Sequence, residues 1–205
     1  MKSDWSTVAL KTVCEFKPPK AQIKKNLRDT DEVSFAPMSD LGVLRMDFVP
    51  SEVRQLKSVY KGYTYFADGD VLCAKITPCF ENGKMGIASG LKNGVGFGSS
   101  EFVVMRPSPK LLPHFLFYFL LRDEIRNAGA RVMTGAVGHR RVPKEYFEDL
   151  QIPLPPLTEQ VKIVAALDDA FASTRRAKAL FESNLNELSE LQQSLIQNTL
   201  AGGPS

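Results

Sequence analysis

The sequence predicts an α+β chain: a globular domain with a twisted β-sheet and a buried helix, then one long C-terminal α-helix forming an intermolecular coiled coil. Three observations predict it. Short runs rich in β-branched and aromatic residues alternate with Gly- and Asp-bearing turns in the first part of the chain. A Pro-punctuated connector, Gln151-Ile152-Pro153-Leu154-Pro155-Pro156-Leu157, interrupts that pattern and is expected to be extended. Beyond it, residues 158–200 contain neither Pro nor Gly, and apolar side chains recur at heptad spacing. The expected division is 1–157 for the domain and 158–205 for the helix.

In the domain, Asp70-Val71-Leu72-Cys73-Ala74-Lys75-Ile76 and Glu101-Phe102-Val103-Val104-Met105-Arg106 are expected strands. Asp68-Gly69-Asp70 and Glu81-Asn82-Gly83-Lys84 are expected turns. Residues 92–100 carry Gly94, Gly96 and Gly98 and read as a loop or irregular edge. Pro113 opens a helix running from His114 to Ala128, with Pro in the tolerated first position and Gly129 just past the end. Phe115, Phe117, Tyr118, Phe119, Leu120 and Leu121 make it apolar nearly all round, so it is expected to be buried.

For the long helix, Thr158 offers a capping hydroxyl and Glu159 a negative charge in the first turn. Heptad positions fall on Val164, Leu167, Phe171, Thr174, Lys178, Phe181, Leu185, Leu188, Gln192, Leu195 and Thr199. Gly202-Gly203-Pro204 is the expected stop. At about 1.5 Å per residue the helix is roughly 65 Å long, and its apolar stripe needs a partner helix. No second segment of comparable length exists in the sequence, so the expected partner is another chain. Lys178 either sets an antiparallel register or marks an exposed break in the stripe.

Composition sets outer bounds. With 205 residues, 43% hydrophobic and 24% charged, the chain is neither collagenous, wholly disordered nor a disulfide scaffold. No run approaches about 18 apolar residues, so no membrane partner is expected. Met1-Lys2-Ser3-Asp4-Trp5 has no apolar run behind its lysine, so no signal peptide is expected. Three cysteines, Cys14, Cys73 and Cys79, are an odd number and fit reduced thiols in the cytoplasm. Residues 1–157 hold 22 Lys+Arg against 17 Asp+Glu, and residues 158–205 hold 4 against 6. The net charge of +3 therefore divides into +5 and −2, and the basic excess in the domain hints at an anionic partner.

Three clusters could serve such a partner, each with an ordinary alternative. Thr134-Gly135-Ala136-Val137-Gly138-His139-Arg140-Arg141-Val142-Pro143-Lys144 is a glycine-bearing basic loop able to reach phosphates or guanine edges, or a solvated turn. Lys17-Pro18-Pro19-Lys20-Ala21-Gln22-Ile23-Lys24-Lys25 could track a phosphate backbone, or be a surface loop. Lys75-Ile76-Thr77-Pro78-Cys79-Phe80-Glu81-Asn82-Gly83-Lys84 offers base-reading side chain types at a strand end, or is a plain β-turn. Enzyme signatures are nearly absent. Glu15-Phe16-Lys17 with Asp4 upstream is a fragment of a metal-dependent nuclease pattern without its Pro-Asp element. No Asn-Pro-Pro-aromatic or Asp-Pro-Pro-aromatic amino-methyltransferase motif, Walker lysine motif or Gly-x-Ser-x-Gly elbow exists. His114 with His139, and Cys73 with Cys79, have no recognised zinc spacing.

The run Leu150-Gln151-Ile152-Pro153-Leu154-Pro155-Pro156-Leu157-Thr158-Glu159-Gln160, followed by Ile163-Val164 and the heptad helix, resembles the hallmark of type I restriction–modification specificity subunits. Trp5 to Cys14, Gly69 to Pro78 and Thr134 to Pro143 resemble further segments of that family in the same order. The resemblance implies that 1–157 is a target recognition domain for one half of a bipartite site in double-stranded DNA. It implies that 158–205 is the conserved spacer helix, which spaces a second recognition domain and docks methyltransferase subunits. Those subunits bind S-adenosylmethionine and methylate a flipped adenine; a restriction/translocase subunit can join. The specificity subunit itself is implied to be non-catalytic and to hold no cofactor.

A full family member carries two recognition domains and two helices, and this sequence resembles a half-length form with one of each. Self-association through 158–200 would then give a homodimer reading an interrupted palindrome. The DNA set expected is Lys75, Thr77, Lys84, Arg131, His139, Arg140, Arg141 and Lys144, with Lys20, Lys24 and Lys25 on phosphates. The partner set is Glu159, Gln160, Val164, Leu167, Phe171, Phe181, Leu185, Leu188 and Leu195. The alternatives are a stand-alone dimeric DNA-binding regulator, a small nuclease built on Asp4 and Glu15-x-Lys17, and a coiled-coil scaffold.

Overall fold

The apolar, β-branched runs do pair as strands, but they build two main sheets and a small ribbon. The computed structural model describes residues 5–202. In chain order the strands are β1 (Thr7–Ala9), β2 (Cys14–Phe16), β3 (Glu32–Ala36), β4 (Asp47–Phe48), β5 (Glu52–Gln55) and β6 (Thr64–Ala67). They continue with β7 (Val71–Ala74), β8 (Met85–Ala88), β9 (Val95–Gly98), β10 (Phe102–Pro107) and β11 (Gln151–Pro153). The α-helices are α1 (Ile23–Asn26), α2 (Leu56–Val59), α3 (Pro113–Leu120), α4 (Asp123–Arg131), α5 (Lys144–Asp149) and α6 (Leu157–Ala201). One sheet has the order β2-β10-β7-β8-β4, the other β5-β3-β9-β6, and β1 pairs with β11.

The two sheets share a core. Phe48 and Phe102 from one and Phe66 from the other form edge-to-face contacts with ring centroids 5.6–6.5 Å apart. Ala36, Leu72, Ala88 and Val104 pack around them. A second cluster, Val33, Phe35, Val95 and Phe97 with Ile23, Leu56 and Val59, seats α1 and α2. All four residues of β7 and of β8 are buried, as expected of strands covered on both faces.

The expected strand 70–76 ends at Ala74, and Lys75 to Phe80 turn out of the sheet. Residues 92–100 are not an irregular edge. Val95–Gly98 is an interior strand, paired parallel with β3 and antiparallel with β6. Its glycines are there for space: a Cβ on Gly96 would lie 2.1 Å from the Phe66 ring, and one on Gly98 2.5 Å from the Ala36 carbonyl oxygen. The predicted helix 114–128 is two helices, broken at Leu121-Arg122. Gly129 lies inside the second, because a Cβ there would meet the Phe80 ring at 2.4 Å.

The connector is extended as expected, with Thr7↔Pro153 and Ala9↔Gln151 in register. The long helix begins at Leu157, so Thr158 lies in its first turn rather than capping it. The chain forms two compact units, 1–161 and 162–205. Gln160 therefore belongs to the first unit, where it is fully buried. Its Nε2 donates to the carbonyls of Lys110 and Pro155, both at 2.9 Å, and its Oε1 accepts the Leu112 N–H at 2.8 Å. This corrects the docking role expected for Gln160: a side chain spent on three backbone groups has no surface to offer.

The buried charge among the described residues is Asp70. Its carboxylate takes both fork nitrogens of Arg106, at 2.7 and 2.8 Å, and the Ala67 N–H at 2.8 Å. Substituting Arg106→Met strands that buried carboxylate and should cost about 3–5 kcal/mol. Urea unfolding checks this, and adding Asp70→Asn to Arg106→Met should return part of the loss.

Candidate nucleic-acid interface

Three distant segments meet where the basic residues gather. Ile76 and Thr134 each bridge to Arg141. The Thr77 N–H donates to the Arg140 carbonyl at 2.9 Å, Val142 N–H to Lys75 at 2.8 Å, and Lys75 N–H to Glu101 at 3.0 Å. Thr134–Arg141 is thus a closed hairpin with Thr134 and Arg141 exchanging backbone hydrogen bonds at 2.8 and 3.0 Å. Gly135 and Gly138 hold positive φ in its turn, and Val137 stands fully exposed at the tip.

Glu101 locks this junction. Arg141 Nε donates to Oε2 at 2.9 Å and Nη2 to Oε1 at 2.7 Å, while Nη1 reaches the His139 carbonyl at 2.9 Å. The hydrogen bonds from Arg141 hold the Glu101 carboxyl below its usual range, and Glu101 in turn raises Arg141. Arg141, expected as a base reader, has its fork turned inward. It positions the hairpin.

Beside the junction lies a cleft of about 730 Å³. Lys17 and Lys20 line it from one loop, Lys75 from the turn after β7, and Arg141 and Lys144 from the hairpin and the start of α5. Phe16, Tyr63, Tyr65 and Phe102 supply apolar wall, and no carboxylate among the described residues lines it. Such a cleft favours an anion. The three basic clusters of the sequence therefore meet at one place, through Lys20, Lys75, Arg141 and Lys144.

Most of these cations are already engaged. Lys20 Nζ donates to the Tyr60 carbonyl and sits 4.8 Å from the Tyr60 ring centre. Lys75 Nζ donates to the Ser100 carbonyl at 2.9 Å, and Lys144 pairs with Glu148 at 2.5 Å. Lys24 shares the Tyr60 ring from 4.6 Å and pairs with Asp29 at 3.2 Å, outside the cleft lining, and Lys25 is exposed on α1.

Other expected residues do not join. Lys84 Nζ donates to the Met38 carbonyl at 3.1 Å, tying its turn to the segment after β3, and the Thr77 hydroxyl donates to Glu81 at 2.6 Å within its own turn, so both side chains are spent on the fold. Arg131 ends α4, where a cation suits the helix C-terminus. His139 and Arg140 are exposed on the hairpin, with Arg140 Nη2 on the Met133 carbonyl at 3.1 Å. Lys17, Tyr63, Tyr65 and Glu101 escaped the sequence-based set. Lys17 stood in the quoted Lys-Pro-Pro-Lys run, whereas Glu101 gave no signal beyond its strand.

Within α6, Phe181, Leu185, Leu188, Leu191 and Leu195 are exposed and recur at steps of three and four. The stripe runs through Leu191 rather than the heptad's Gln192. Val164 and Leu167 are half-buried and Phe171 is exposed; Glu159 is half-buried. Cys14, Cys73 and Cys79 are free thiols, and burial pushes Cys14 and Cys73 up to about 12. Among the described residues no three His, Cys, Asp or Glu side chains gather as metal ligands. Asp4, part of the nuclease pattern, lies outside the described residues. No helix among the described residues is long and apolar enough to cross a membrane.

A family model described as the type I restriction modification DNA specificity domain matches residues 2–180. The Escherichia coli type I restriction enzyme EcoEI specificity subunit is 40% identical over 198 residues, covering 96% of this chain and 32% of that protein. The EcoAI specificity subunit of E. coli is 36% identical over 195 residues, covering 94% and 32%. The chain thus spans about a third of the length of these curated relatives. Among solved structures, the HsdS subunit from Thermoanaerobacter tengcongensis superposes with a TM-score of 0.63 at 22% identity, over 97% of this chain and 45% of that one. A chain from a type I R-M system, solved for its complex assembly and conformational transition, gives 0.69 at 21%, over 97% and 46%. The fold is the one these structures share.

Because Glu101 is held below its usual range, the stability it lends is complete above the ordinary Glu value of 4.5 and is lost as pH falls through the lowered one. Thermal melts of the parent and Glu101→Gln should differ most at neutral pH and converge in acid.

Proposed function

We propose a function from this premise: the chain belongs to the type I restriction modification DNA specificity family. It is the DNA-recognition component of a restriction–modification complex and performs no chemistry of its own. The domain binds one half of a bipartite site in double-stranded DNA. A partner methyltransferase carries S-adenosylmethionine and methylates adenine where this chain directs it, and a restriction subunit joins the same assembly. The observation that carries the reading is the convergence of three basic segments on one cleft that no carboxylate of the described residues lines, next to an exposed hairpin.

Within that interface the roles divide. His139 and Arg140 stand exposed on the hairpin, and Arg140 keeps donors that can take a guanine edge. Arg141 and Glu101 hold the hairpin's base. The exposed apolar stripe from Phe181 to Leu195 supports pairing with a second copy of the chain. Two copies related by a two-fold axis would read an interrupted palindrome.

Methylation mapping in cells expressing this chain with its cognate methyltransferase should return an interrupted palindrome. An asymmetric site would remove the homodimer, and no site-specific methylation would remove the recognition role. The parent should sediment as a dimer at micromolar concentration, and Phe181→Lys with Leu188→Lys should sediment as a monomer with its domain folded. Arg140→Ala should cost about 1–3 kcal/mol of DNA affinity and relax preference at one base pair, measured by titration of single-substituted duplexes.

A further inference from the structure

Of the five cations lining the cleft, four are held by partners. Lys20 is on Tyr60, Lys75 on Ser100, Arg141 on Glu101 and Lys144 on Glu148. Lys17 alone has no hydrogen bond, ion pair or ring contact for its ammonium group among the described residues. Its backbone is also unusual. The N–H of Lys17 continues the sheet, donating to the Val104 carbonyl at 3.2 Å, yet φ is +55°. That is the left-handed side, where a side chain is disfavoured and Gly or Asn is the ordinary occupant. Pro18 follows, and a residue before proline is normally extended. The other two non-glycine residues with positive φ are Asn93, a type that tolerates it, and Leu44, which lies outside the cleft lining. A strained position that keeps a free charge in a cationic cleft points to function rather than folding.

We infer that this cleft is a seat for a backbone phosphodiester of DNA, with Lys17 as the residue that neutralises it. The inference rests on the DNA-recognition reading and adds a sequence-independent grip to it. The ligand is a polymer because Arg141 lines the cleft and also closes the hairpin bearing His139 and Arg140. A strand whose phosphate sits at Lys17 can continue to that hairpin. Lys17 holds the duplex in place, and base discrimination is left to the hairpin. The charge is kept where it costs backbone strain because the engaged cations have already given part of their donor capacity to the protein.

The test uses the full chain and random-sequence duplex, titrated between about 50 and 200 mM salt, with Lys17→Asn and Lys17→Arg beside the parent. Asn relieves the left-handed strain and removes the charge; Arg keeps both. Lys17→Asn should melt at or above the parent temperature while the slope of log affinity against log salt shrinks by about 0.9, the value of one phosphate contact. The loss should be equal for duplexes of different sequence, and Lys17→Arg should keep the parent slope. Inorganic phosphate at matched ionic strength should not compete.

An unchanged slope in Lys17→Asn, with the parent binding duplex, overturns the seat and leaves the recognition reading standing. A melting temperature below the parent's overturns the strain argument and with it the inference. Competition by inorganic phosphate makes the cleft a free-anion site and overturns the assignment to a polymer. A parent with no salt-dependent affinity for duplex removes both readings.

Discussion

Glu101 and Arg141 stand 40 residues apart in the chain and meet through paired N–H···O contacts, and that pairing anchors the side of the cleft that Arg141 lines. Glu101 precedes β10, the strand that holds β2 on one side and β7 on the other. Arg141 closes the hairpin that follows α4. Their pairing ties the hairpin to the sheet, and the backbone bonds of Lys75 to Glu101 and of Val142 to Lys75 stitch the intervening turn between them. Without the carboxylate, backbone hydrogen bonds alone would hold three positively charged segments side by side against their repulsion. One acid makes that convergence tolerable and leaves the net field of the cleft positive.

The same distinction between charges that build and charges that bind runs through the domain. Lys84, Lys20, Lys75 and Arg106 each give a charged group to a carbonyl or carboxylate of the fold. A count of basic residues therefore overstates what is available to an anion. The domain's excess of +5 matters less than which donors stand open at the cleft and hairpin: among the described residues there, Lys17, His139 and the remaining donors of Arg140.

Helix α6 begins with a different kind of constraint. Gln160 sits in its first turn and satisfies the Leu112 N–H and the carbonyls of Lys110 and Pro155. Three backbone groups that burial would otherwise leave unpaired are met by one amide, so the start of the helix is pinned to the domain's framework. Further along, the apolar stripe from Phe181 to Leu195 is exposed, and the energy of covering it is available to a partner.

The α+β class, the extended connector, the uninterrupted helix of residues 158–200 and the family were all legible in the residues alone. Each depends on local pattern: prolines that remove amide donors, heptad spacing, or a contiguous run of residues. The misreadings of glycine share one cause. Gly96, Gly98 and Gly129 looked like loop or cap residues because glycine usually marks a turn, but here it makes room for Phe66, Ala36 and Phe80. Close approach between distant segments leaves no trace in local sequence. For the site, the three basic clusters are visible in the sequence, but packing sets which of their members count. Gln160 and Arg141 turned inward, Thr77 was spent on its own turn and Lys84 on the Met38 carbonyl, and Lys17 emerged as the cleft's free cation among the described residues. A side chain's charge is a property of its residue type. Whether that charge is free depends on which carbonyls and carboxylates the fold brings within about 3 Å of it, and only the packed chain sets those distances.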